Sequence, residues 1–184
     1  MSATAIAKPT TPRVTPEFAT TLRDFTIATY EQEAKTTRRV INAIPEDKKN
    51  YRPDPKAKSA DELAWHVVFN DINFLESIAR GSFMAGPEEA AIEQKLHPKS
   101  IAEILKWHEA NVPEALAKLQ AMTPQQLLTP IDFFGAFNFP AFMYLEFWKV
   151  HMVHHRGWLA SYLRPMGSKC PSIYGPSGDE QWVG

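Results

Sequence analysis

Residues 140–163 read PAFMYLEFWKVHMVHHRGWLASYL, and the fold turns on this stretch. It is long and largely apolar, and Leu163-Arg164-Pro165-Met166-Gly167 closes it with a helix stop. The spacing predicts a helix from near Pro140 to near Leu163. Its centre runs Trp148-Lys-Val-His151-Met-Val-His154-His155-Arg156-Gly157-Trp158. His151 and His155 lie at i and i+4, about 40° apart on one helix face. That is a two-point chelate for a divalent metal, the geometry by which HExxH helices hold zinc. The glutamate of HExxH is missing, so a metalloprotease is not indicated. His154 lies about 100° from His155 and points elsewhere. The same face carries Tyr144, Phe147, Trp148, Trp158 and Tyr162, so the pair reads as set among aromatic groups. A pair of core histidines held by hydrogen bonds is the alternative reading.

Outward from this helix, prolines act as punctuation between periodic segments. A first helix is predicted from Thr15 as N-cap, with Pro16 and Glu17 in its first turn, Phe18, Leu22, Phe25 and Ala28 at helical spacing, Val40, Ile41 and Ile44 continuing the apolar side, and a stop at Pro45. A charged connection, 46–58, leads to a second helix opened by the capping box Ser59-Ala-Asp-Glu62 and running to about Phe83. Gly81, Gly86 and Pro87 then open a connector. A third helix opens with Ser100-Ile-Ala-Glu103, and Ile101, Leu105, Val112, Leu116 and Leu119 form its apolar face. Pro113 inside it predicts a kink or a split. Residues 123–139, TPQQLLTPIDFFGAFNF, read as a loop or short hairpin. Ile173, Tyr174, Trp182 and Val183 suggest that the irregular tail 168–184 packs on the body.

Four helices of roughly 20 or more residues make an all-α four-helix bundle. Its connectors of about 13–17 residues exceed tight antiparallel turns and admit a crossover. Residues 1–14 read as a loose tail, and 15–184 as a single domain.

Composition removes other classes. Twenty basic and 21 acidic residues give a net charge of −1, which offers no basic field for nucleic acid. A single cysteine, Cys170, can build neither an internal disulfide nor a thiolate cluster. No apolar run approaches a membrane span, and the N-terminus lacks a signal-peptide core. The expectation is a cytoplasmic protein whose unusual chemistry rests on its six histidines.

A third ligand would complete a metal site, and His66 on the second helix is the candidate. Its side of the helix carries Ser59, Glu62, Asn70, Asn73 and Ser77, while Leu63, Val67, Val68, Phe69, Phe74, Leu75 and Ile78 occupy the remainder. The polar stripe is either the solvent-facing side or the wall of a wet internal pocket. Asp61, Asp71 and Glu76 lie off the stripe, which favours the pocket. His97, before Pro98, and His108, beside Glu109, read as surface residues.

The segments Ser59-Ala-Asp-Glu-Leu-Ala-Trp-His66, His151-Met-Val-His-His155-Arg-Gly157, Leu163–Gly167 and Pro171-Ser-Ile-Tyr174-Gly-Pro-Ser-Gly-Asp179 together resemble the DinB/YfiT-like superfamily of metal-dependent four-helix bundles. The resemblance spans about residues 15–180. It implies that His66, His151 and His155 form a three-histidine site, and that the protein commonly pairs as a homodimer. Trp158 stands where that superfamily often has glutamine, so pocket shape and polarity differ here.

Three neutral imidazoles leave a divalent ion its full charge and an open position, as in catalytic rather than structural sites. The expected function is therefore activation of water or, as the resemblance implies, of a low-molecular-weight thiol: a hydrolase or a thiol S-transferase acting on a small-molecule substrate. The rival is a non-enzymatic metal- or small-ligand-binding stress-response module. Imidazole ligation suits zinc first and nickel second. Asn70, Asn73, Tyr144, Trp148 and Trp158 are candidates for the substrate pocket. Glu62 is a candidate to orient His66, Arg156 to form a structural ion pair, and Gly157 to allow close helix approach.

Overall fold

A computed structural model describes residues 14–84 and 86–182. The tail expected for 1–14 lies outside the described residues except for Val14, and so does Val183. Helix α1 spans Pro16–Asn42, α2 Ala60–Arg80, α3 Gly86–Leu96, α4 Ile101–Gln120, α5 Pro124–Leu128 and α6 Met143–Leu163. Strands β1 (Pro130–Phe133) and β2 (Phe137–Pro140) form an antiparallel hairpin pairing Phe133 with Phe137. Among the described residues no helix is long and apolar enough to cross a membrane.

Local chemistry sets the helix ends. Thr15 Oγ1 accepts from the Phe18 amide to start α1. At α2, Ser59 Oγ accepts from the Glu62 amide, and Glu62 Oε2 accepts from the Ser59 amide, closing the capping box. Helix α2 stops at Arg80 rather than Phe83, because Gly81 takes the left-handed conformation (φ 79°) and returns its amide to Ser77 O. The box at α4 is only half made: Ser100 Oγ caps Glu103, but the Glu103 carboxylate accepts from the Lys99 amide instead. Pro113 does not split α4. Its side is exposed to solvent, so the missing donor leaves no buried carbonyl without a partner.

The long helices α1, α2, α4 and α6 form the bundle. Both α1 and α2 pack against α4 and α6, which places α1 and α2 on a diagonal and makes the 46–58 connection a crossover. Two apolar clusters fill the interior, one around Tyr30, Leu75, Leu119 and Trp148, the other around Ile41, Leu63, Trp65 and Leu163. Each fully buried large side chain contributes about 1.5–3 kcal/mol.

The inner face of α1 differs from the expected one in its N-terminal part, where Phe18 and Phe25 are exposed while Ala19, Arg23, Tyr30 and Ala34 turn inward; Val40 and Ile41 are buried as expected. Tyr30 belongs to a buried polar junction to which every long helix contributes. Its hydroxyl donates to Asp71 Oδ2 (2.7 Å), His108 Nε2 lies 2.7 Å from the same oxygen, and Trp148 Nε1 donates to Asp71 Oδ1 (2.9 Å). His108 is therefore a wholly buried core residue, not a surface one.

The C-terminal tail is held mainly by polar contacts. Arg39 binds Glu180 (2.7 Å to Oε1), and Tyr174 donates to Glu33 (2.8 Å). Tyr174 and Trp182 are exposed, and among the described residues Ile173 is the expected apolar anchor that packs on the core.

Candidate metal centre

Helix α2 packs against α6, and this contact turns His66 toward His151 and His155. One ligand nitrogen from each of the three lies within 4.8 Å of the others, and all three rings are half-buried. The ring centroids stand 4.3 Å apart for His151–His155, 4.8 Å for His66–His155 and 5.7 Å for His66–His151. The polar stripe of α2 thus faces into the protein at His66 rather than lying open to solvent.

Two features fit this trio to a divalent ion. The Nδ1 atoms of His151 and His155 are buried without a hydrogen-bond partner, so no core hydrogen bond explains the pair. Burial first, and the neighbouring histidines second, push His151 down to about 4 and His155 down to about 3. Both rings are therefore neutral near pH 7 and keep the lone pairs that a metal requires.

His66 is oriented by α3, which lies where a connector is expected from the sequence. Its Nδ1 lies 3.0 Å from Glu93 Oε1. An ionised carboxylate only accepts, so Nδ1 carries the proton and Nε2 presents the lone pair. Asn70, one turn along α2, donates to the His66 carbonyl oxygen (2.9 Å). At Glu93, burial works to raise the carboxyl, but the hydrogen bond from His66 and the positive charge of Lys58 work against it, and the group stays below its ordinary value. Glu62, the expected partner of His66, is instead committed to the capping box and to Arg52 (2.7 Å).

Beside His66 and His151 opens a cavity of about 300 Å³. Asn70 reaches it with Glu89 and Glu93, and Phe74, Phe83, Phe133, Phe134 and Phe147 form its apolar side. The other pocket candidates lie elsewhere. Tyr144 is buried with its hydroxyl donating to Ile131 O (2.6 Å), and Trp148 points to Asp71 in the core. Trp158 is half-exposed and stacks on His155 from the outer side (6.0 Å, 25°). Asn73 stands behind the cavity wall and donates to Glu89 (2.7 Å). Arg156 makes the structural ion pair expected of it, with Glu33 (2.8 Å). Gly157 faces solvent with nothing within 4 Å of a Cβ placed there, so it serves no close helix approach. His97 is half-buried, stacked on Trp65 (5.8 Å) and 3.0 Å from Asp61.

Comparison with known proteins agrees with this architecture. The chain is 26% identical to YrdA of Bacillus subtilis (strain 168) over 160 residues, covering 87% of this chain and 92% of that protein. It is 25% identical to YjoA of the same organism over 146 residues, covering 77% and 88%. The crystal structure of the DinB-like YjoA superposes with a TM-score of 0.65 at 22% identity, over 81% of this chain and 97% of that one. A DinB-like protein from Bacillus cereus ATCC 10987 gives 0.66 at 21% identity, over 82% and 97%. A mycothiol-dependent maleylpyruvate isomerase gives 0.50 at 12% identity, over 87% and 66%, a likeness of fold. The DinB family profile matches residues 20–182, nearly the whole bundle, and the chain belongs to the DinB family.

Proposed function

We propose that this protein is a metal-dependent enzyme that holds a divalent ion, zinc first and nickel second, on His66, His151 and His155. The observation that carries the reading is the convergence of three histidine nitrogens from two helices within 4.8 Å, with Glu93 behind one of them. When bound, an ion on three neutral imidazoles supplies Lewis-acid activation of water or of a low-molecular-weight thiol. The chain's own residues do the rest. Glu93 fixes the His66 ring. Burial keeps His151 and His155 unprotonated. The phenylalanine side of the cavity excludes water from a bound small molecule and strengthens the polar interactions made there.

The likeness of fold to a mycothiol-dependent isomerase supports the thiol branch, S-transfer to an electrophilic substrate, over the hydrolytic one. Zinc-loaded protein offered low-molecular-weight thiols with a panel of electrophiles tests the reading. Turnover that disappears in His151→Ala is expected. Tight ligand binding without turnover across the panel would instead favour a non-enzymatic binding module.

A further inference from the structure

The cavity beside the histidines is divided by chemistry as well as by position. One side is aromatic: Phe133 and Phe83 meet edge to face at 4.9 Å, and Phe74 and Phe147 stand 5.8 Å apart. The ring of Phe134 completes that side from the hairpin turn, where its backbone takes a positive φ of 55°. A non-glycine residue in this region is uncommon, and such strain persists only where surrounding contacts maintain it. The cavity also has an acidic part: α3 places Glu89 and Glu93 on one face, four residues or about 6 Å apart along the helix axis. Among the described residues no lysine or arginine lines the cavity.

The two carboxylates are not equivalent. Glu93 is occupied by His66. Glu89 has one oxygen on the Asn73 amide (2.7 Å) and no cationic partner among the described residues. Burial, and then the proximity of Glu93, raise its carboxyl above the ordinary value, the mark of an anion short of positive charge.

An aromatic wall and a carboxylate that lacks a counter-ion, lining one cavity, suit an organic cation. Ring faces attract positive charge, and the carboxylate neutralises it. Glu89 lies about one helical turn beyond Glu93, so a cation seated there is set back from the histidine end and from the charge of an ion held there. We infer that the cavity binds an ammonium-bearing small molecule, its apolar body against Phe83, Phe133 and Phe147, its cationic group at Glu89, and its remaining end directed to the histidines. This rests on the proposed function for the role of the ligand as substrate. It does not rest on that reading for its binding.

Benzyltrimethylammonium tests the inference, because a quaternary ammonium cannot ligate a metal. Binding is measured by calorimetry on chelator-treated full-length protein, with 3-phenylpropionate as the anionic counterpart of similar size. The expected result is saturable binding of the cation at least 10-fold tighter than of the anion. Glu89→Gln should weaken the cation at least 10-fold while leaving the circular dichroism spectrum unchanged. Phe147→Ala, on a half-exposed ring, should weaken it as well. Equal binding of both probes, or unchanged cation binding in Glu89→Gln, overturns the inference. A parallel zinc titration of the same preparation keeps the two readings separate. Cation binding without zinc binding leaves the pocket standing and removes the metal. Zinc binding without cation binding does the reverse.

Discussion

The functional weight of the molecule falls on a few side chains whose protonation is set by burial. His151 and His155 are held neutral by desolvation first and by neighbouring histidines second, down to about 4 and about 3. In the unfolded chain both return to near 6.5. Between those values the unfolded state binds more protons than the folded state, so metal-free protein loses stability as pH falls from about 6.5 toward 4. Thermal melts in the presence of chelator should show this fall. A variant carrying His151→Asn and His155→Asn should show a shallower slope over the same window, and an unchanged slope would contradict the assignment. The i, i+4 pair was legible in the sequence because both residues lie on one helix, where spacing alone fixes their shared face. Whether His66 joins them depends on a long-range helix contact that no local period encodes.

At the scale of elements, α3 is the lesson. None of its residues is buried, so it has no apolar stripe for periodicity to detect, and GPEEAAIEQKL reads as a polar connector. Yet it delivers Glu93 to His66 and Glu89 to the cavity. The i, i+4 spacing of those two glutamates was the one available clue, and it becomes informative only once the segment is known to be helical. If α3 contributes through Glu93, then Glu93→Gln should lower zinc affinity about 10–100-fold, the usual effect of losing a carboxylate behind a histidine ligand. A competition titration against a chromogenic chelator measures this, and a change below about 2-fold would assign α3 to cavity shape alone. Helix α4 shows a different failure. Ile101, Ile104, His108, Val112, Ala115 and Leu119 step at three and four residues along one buried face, so the period did include His108. Its neighbour Glu109 drew the reading to the surface, although adjacent residues on a helix point about 100° apart.

For the whole molecule, the four-helix class was legible from capping residues and periods, while the diagonal placement of α1 and α2 was not. Connector length allowed a crossover without specifying one. What fixes the arrangement in space includes the junction of Tyr30, Asp71, His108 and Trp148, one residue from each long helix. Burial, with Asp71 as the next cause, raises the Tyr30 hydroxyl well above its ordinary value, so it remains a donor throughout the working range. Asp71→Ala would remove the shared acceptor of three buried groups, at a cost of about 3–5 kcal/mol. Urea denaturation followed by tryptophan fluorescence should show that loss, and a cost under about 1 kcal/mol would mean the junction is dispensable.

The central claim is that this bundle builds one metal site from His66, His151 and His155. Protein purified without a nickel column, stripped with chelator and titrated with zinc by calorimetry, tests it most directly. The account predicts saturation near one ion per chain, with that site lost in both His66→Ala and His151→Ala. Absence of stoichiometric binding, or binding that survives both substitutions, would contradict it.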